Sequence, residues 1–148
     1  MIKKIFAPGN DSTMTNFGLL VLRLWFGLTM CLHHGVDKIV GWNYLAPTWL
    51  DPFHIGHQAS FALTVFAEAV CSFLLALGLV TRFAALVLVI NMSVAFCMVH
   101  KEDLKAGELA YVYLGVFVVL FVTGAGKFSL DKALFGKGGK SSTAAKKG

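Results

Sequence analysis

Four apolar stretches, Phe17 to Lys38, Ser60 to Val80, Phe83 to Val99 and Leu109 to Ala125, each approach the ~20 residues that a helix needs to cross a ~30 Å hydrocarbon layer. Lipid offers no partner to backbone polar groups, so segments of this kind cross as helices that bond internally. The composition agrees: 57% hydrophobic residues and only 14% charged ones lie outside the range of soluble domains. The expected fold class is therefore all-α, an integral membrane four-helix bundle, with an interfacial loop or short helix between helices one and two. Residues 1–16 form a polar lead and 17–135 the transmembrane domain, while the Gly/Ser/Lys tail 136–148 is expected to be disordered.

Lys3 and Lys4 precede the first run as they would in a signal peptide, but no small-residue cleavage site interrupts it, so this helix is expected to be retained. Cys31, Cys71 and Cys97 are odd in number, lie in apolar runs and lack C-x-x-C spacing, which indicates neither a disulfide framework nor a metal or haem motif. With four spans both termini share a side. That side collects Lys3, Lys4, Arg82, Lys127, Lys132 and the tail lysines, against Lys38, Lys101 and Lys105 opposite. By the positive-inside rule both termini are expected to be cytoplasmic. The net charge of +5 is then a juxtamembrane and tail property, suited to anionic lipid headgroups and not to nucleic acid.

The segment "GWNYLAPTWLDPFHIGH" is too short and too broken by Pro47 and Pro52 to span, and its aromatic rings suit the headgroup level. Within the spans, Arg23 stands roughly 9 Å in from the cytoplasmic edge, where a lone charge costs on the order of 2.5–3.5 kcal/mol. Glu68 is the acidic residue deep in another span, so an Arg23–Glu68 pair facing the bundle interior is expected. Helical spacing puts Arg23, Gly27, Cys31, His34 and Lys38 on one stripe of helix one, and Thr64, Glu68, Ser72 and Arg82 on one stripe of helix two. Asn91 lies near mid-depth on helix three, and Glu108, Tyr111, Gly115 and Thr123 share a face of helix four. These stripes are expected to meet in a polar interior that opens outward. A structural ion pair that only fixes packing is the competing account. His33, His34, His54, His57 and His100 fall at or beyond the outer helix ends, where solvated imidazoles explain them better than a metal on His54-x-x-His57 with Asp51 or Asp37. No metal site is assigned.

The segments "LRLWFGLTMCLHHGVDKIVG", "FAEAVCSFLLALGLVTRFAAL" and "GELAYVYLGVFVVLFVTGAGKFSLD" resemble the DoxX family of small four-helix bacterial inner-membrane proteins, over about Phe17 to Phe135. The positions that carry over are Arg23, Gly27, Gly35, Lys38, Glu68, Gly78, Arg82, Gly124, Gly126, Ser129 and Asp131. The resemblance implies a location in the inner membrane and a link to membrane redox chemistry, since relatives are associated with thiosulfate:quinone oxidoreductase and with complexes that handle thiol and oxidative stress.

Three functions of different classes follow. In the first, the chain is an accessory, quinone-interacting subunit of an oxidoreductase system. Glu68 and Arg23 then form the catalytic centre, Glu68 exchanging protons, and Asn91, Tyr111, His34 and Lys38 surround the quinone head. No haem, flavin or iron–sulfur motif is present, so electrons are expected from a redox protein partner. In the second, the chain is a non-enzymatic membrane docking or scaffold module that docks a soluble partner through its basic tail or organises a complex, a homo-oligomer included. A small-molecule carrier ranks last, because Gly-broken half-helices and repeat symmetry are missing.

Overall fold

The computed structural model describes residues 12–99, 101 and 103–135, so most of the polar lead, His100 and the basic tail lie outside the described residues. Four helices are long and apolar enough to cross a membrane: α1 (Thr13–Val40), α2 (His57–Leu77), α3 (Thr81–Val99) and α4 (Leu104–Thr123). A short α5 (Leu130–Phe135) follows, and no strand occurs among the described residues. The all-α membrane bundle anticipated from the sequence is what forms. Its two ends are named here by what they carry, a loop end with residues 41–56 and a terminal end with α5.

The seam between α3 and α4 follows from spacing. Ala110, Tyr113, Phe117 and Leu120 recur at three and four residues and pack with Ala84, Ala85, Leu88 and Met92 into one apolar cluster. Opposite faces stay exposed and apolar, with Val118, Val119 and Val122 on α4 and Phe83, Leu86 and Ile90 on α3, as contact with lipid tails requires. The most enclosed span is α2: 56% of its most apolar window is buried, against 22–28% for the other three. A charge on α2, such as Glu68, is therefore well shielded, as is Arg23 on α1.

Close approach of α1 to α2 depends on small residues. A Cβ on Gly35 would meet Ala69 Cα and Glu68 O at 2.6 Å, and one on Gly27 would meet Ser72 O at 2.8 Å. Such contacts between backbones are how helices associate in lipid, where apolar burial gives no preference for protein over tails. At this level both helices widen into π turns, Cys31–Gly35 and Phe66–Cys71, and Cys31 Sγ contacts Ala69 O at 3.4 Å. A third π turn, Ala95–Val99, ends α3. Widened turns of this kind re-aim side chains and frequently mark working regions of helices.

The helix ends are satisfied in two ways. α2 stops in a Schellman motif, with Gly78 at φ 70°, Gly78 N donating to Leu75 O and Leu79 N donating to Leu74 O. The start of α3 has no local cap. Instead Asp131 of α5 reaches back and accepts from Val80 N at 2.7 Å and Thr81 N at 2.9 Å, while its own N–H donates to Gly78 O. At the loop end a helical turn, Trp42–Leu45, and a 3₁₀ turn, Ala46–Thr48, lead into Trp49. Trp42 and Trp49 both set their rings edge-on against Phe61 of α2, at 5.1 and 4.9 Å between centroids, so these two rings are docked on the bundle; Tyr44 stays exposed.

Candidate functional site

Glu68 is buried in the π turn of α2, and side chains from two other helices, α1 and α3, converge on its carboxylate. Lys38, in the last turn of α1, donates to Oε2 and forms an ion pair with it. Asn91 of α3 donates from Nδ2 to Oε1 at 3.0 Å. His34 belongs to the π turn of α1, and its ring lies edge-on to Tyr113, 5.9 Å between centroids. Lys38 Nζ also lies 5.5 Å from the Trp49 ring, which ties the ion pair to the loop. Of the residues predicted from sequence, Glu68, Lys38 and Asn91 are thus brought together, with His34 on the neighbouring turn.

The expected Arg23–Glu68 pair does not form. Gly35 stacks on Glu68 and Ala69, which fixes the register of α1 against α2, and Arg23 lies twelve residues earlier, roughly 18 Å along the helix. That distance is beyond the reach of both side chains. Arg23 instead lies fully buried at the terminal end, where Nη2 donates to Phe128 O and Asp131 acts on it electrostatically. Its Nη1 lies so near Gly78 that a Cβ there would approach to 1.8 Å. Nε and Nη1 have no hydrogen-bond partner among the described residues. The arginine pins the exit of α4 to the α2–α3 turn, and it belongs to the packing of that end and not to the centre around Glu68.

Tyr111 also departs from expectation. It is 53% exposed and contacts Phe96, whereas the tyrosine facing the interior is Tyr113, 4% exposed and wedged among Phe26, His34 and Phe117. Two residues along a helix is a rotation of roughly 200°, so the interior stripe of α4 runs through Gly107, Ala110 and Tyr113 and not through Glu108, Tyr111 and Gly115. Both tyrosines sit on apolar stripes of 3–4 spacing, Tyr111 with Leu114, Val118 and Phe121 and Tyr113 with Phe117 and Leu120, so the periodicity alone does not distinguish them.

A cavity of about 300 Å³ opens beside the carboxylate between α2 and α3, beneath the loop. Trp49 and Phe53 contribute to its loop side, Leu63, Phe66, Ile90 and Val94 to its walls, and Glu68, Asn91, Ser60 and Thr64 its polar surface. Leu63, Phe66 and Ile90 line the cavity and are themselves exposed, so it is open along the apolar flanks of α2 and α3. Asp51 holds the loop in place by accepting from Ser60 Oγ at 2.6 Å, Gly56 N at 2.7 Å and Ile55 N at 3.1 Å. The Ser60 hydroxyl and those two backbone donors hold its carboxyl below the usual aspartate range. His57 Nδ1 lies 2.6 Å from Trp49 O. Among the described residues no group of three His, Cys, Asp or Glu side chains is placed to hold a metal ion.

Comparison with known proteins gives a consistent picture. The DoxX family model matches residues 18–101, which takes in most of α1, the loop, α2 and α3. An uncharacterized protein of Haemophilus influenzae is 31% identical over 122 residues, covering 76% of this chain and 80% of the relative. A second uncharacterized protein of the same organism is 40% identical over 78 residues, 47% of this chain and 58% of its own length. No solved structure matches.

Proposed function

From the membership of this chain in the DoxX family of membrane proteins, we propose that it serves as a quinone-binding accessory subunit of a membrane oxidoreductase system, with electrons supplied by a partner protein and both termini in the cytoplasm. The observation that carries this reading is the lateral cavity. It is apolar over most of its lining, open to lipid where a lipid-soluble ligand arrives, and polar beside Glu68 and Asn91. Sites for small ligands combine these features, a largely apolar slot with a few convergent polar groups.

In this reading Lys38 and Asn91 hold the Glu68 carboxylate at the cavity surface, and Glu68 exchanges protons with the ligand head. Lys38, near the loop end of α1 and beside Trp49, links the carboxylate to the aqueous face. Arg23 and Tyr111 take no part, since neither lies at the cavity. Purified protein in lipid nanodiscs should show saturable quenching of tryptophan fluorescence by a short-chain benzoquinone, because Trp49 lines the cavity. Val94→Trp, which fills the slot, should abolish the quenching while leaving the protein folded. Failure of the wild-type chain to bind any quinone at concentrations typical of membranes would favour a docking or scaffold module instead.

A further inference from the structure

The hydrogen-bonding inventory of the cavity distinguishes the two redox forms of such a ligand, and the argument that follows rests on the quinone reading above. An oxidised quinone head presents two carbonyl acceptors and no donor, whereas its reduced form presents two hydroxyl donors. The polar surface of the cavity is made mostly of acceptors. Glu68 receives one donor on each oxygen, Lys38 Nζ on Oε2 and Asn91 Nδ2 on Oε1. A carboxylate has about four lone-pair positions, so roughly two remain to accept. The Thr64 hydroxyl has committed its hydrogen to Ser60 O at 3.1 Å, and the Ser60 hydroxyl has committed its own to Asp51 at 2.6 Å. Both of those oxygens therefore present lone pairs. The donors left among the lining side chains are the second amide hydrogen of Asn91 and the indole N–H of Trp49 on the loop side.

We infer that this site selects the reduced, hydroxyl-bearing form, so that its preferred ligand is a quinol. A quinol hydroxyl donating to Glu68 makes a charge-assisted bond, roughly twice as strong as a neutral one. A quinone carbonyl in the same place sets acceptor against acceptor and leaves a buried polar atom unmatched, which weakens binding of the oxidised form. The slot between Leu63, Phe66 and Ile90 gives an isoprenoid tail a way out to the bilayer. For the couple quinone + 2e⁻ + 2H⁺ ⇌ quinol, tighter binding of the reduced form raises the midpoint potential of the bound ligand, by about 30 mV for each tenfold of preference.

The test measures both redox forms of one short-chain benzoquinone under anaerobic conditions, by tryptophan quenching of the full chain in nanodiscs. The quinol should bind about tenfold more tightly or better. Glu68→Gln, which substitutes an amide donor for one acceptor oxygen, should bring the ratio close to one. Thr64→Val leaves the ion pair in place and should lower the ratio without changing quinone affinity, which keeps the test decisive if the glutamine variant fails to fold. Equal affinities, or tighter binding of the quinone, would overturn the inference and leave the quinone-site reading intact. Absence of binding by either form would overturn both. A long-chain isoprenoid alcohol that displaces quinol at equal concentration would overturn the assignment of an aromatic diol, because a single hydroxyl would then suffice.

Discussion

The partnership of Lys38 with Glu68, and the separation of both from Arg23, can be measured with two thermodynamic cycles that share one residue. The side chains of Lys38 and Glu68 are 15% and 7% exposed, so their interaction is little screened by water. Removing one partner of a buried pair leaves an uncompensated charge and costs about 3–5 kcal/mol, whereas replacing both by apolar groups of similar volume is often close to neutral. Lys38→Met and Glu68→Leu should therefore each destabilise by several kcal/mol, and the double variant should recover most of the loss. In the companion cycle Arg23→Met and Glu68→Leu act at sites roughly 18 Å apart. Losses at that separation should add to within about 0.5 kcal/mol. Reversible unfolding of purified protein in mixed micelles, followed by tryptophan fluorescence, gives all four corners of each cycle. Additive losses for Lys38 and Glu68 together with strong coupling between Arg23 and Glu68 would refute the register on which the site is built.

Four further outcomes follow. Gly35→Val should destabilise by about 1–3 kcal/mol through overpacking against the α2 backbone, while Gly115→Ala, with nothing within 4 Å, should be neutral or stabilising; melting temperatures in detergent compare the two. Asp131→Ala should cost about 0.5–2 kcal/mol by uncapping α3, and faster amide exchange at Val80 and Thr81 would localise the effect. Because the folded-state pKa of Asp51 is depressed, its contribution to loop order is present above the unfolded value of about 3.9 and is lost as pH falls through the folded value; Trp49 emission should change over that acidic range in the native chain and stay flat in Asp51→Asn. Reporter fusions after Lys137 should read as cytoplasmic, and a periplasmic signal would sink the proposed orientation.

Hydrophobic run length made the spans legible, and the boundaries missed in instructive ways. α4 begins at Leu104, five residues before its apolar run, because Asp103 caps it by accepting from Lys105 N, so polar residues such as Lys105 and Glu108 lie inside the helix. The residues of the Glu68 cluster were legible as polar side chains on apolar helices. Their pairing was not. Depth read from sequence assumes that neighbouring helices start level, but Gly35 docks against Glu68 well below the loop-end terminus of α2, and that displacement hands the carboxylate to Lys38. Nor does local sequence reveal a cap supplied from fifty residues away, since Asp131 resembles any polar residue beyond a span. The cavity depends on the fold of residues 49–53, which composition describes only as interfacial.

That remote cap has a consequence for how the protein is made. A chain emerging into the membrane from its N-terminus delivers Arg23 first, then the α2–α3 turn, and Asp131 only after all four spans have been synthesised. Until then the first helix carries a buried guanidinium without its Phe128 acceptor, and the start of α3 has bare N–H groups. Arrival of Phe128 and then of Asp131 in α5 supplies the two in turn. The segment from Phe128 to Asp131 is thus a late fastener, and a chain stopped before Phe128 lacks both the Nη2 acceptor of Arg23 and the cap of α3.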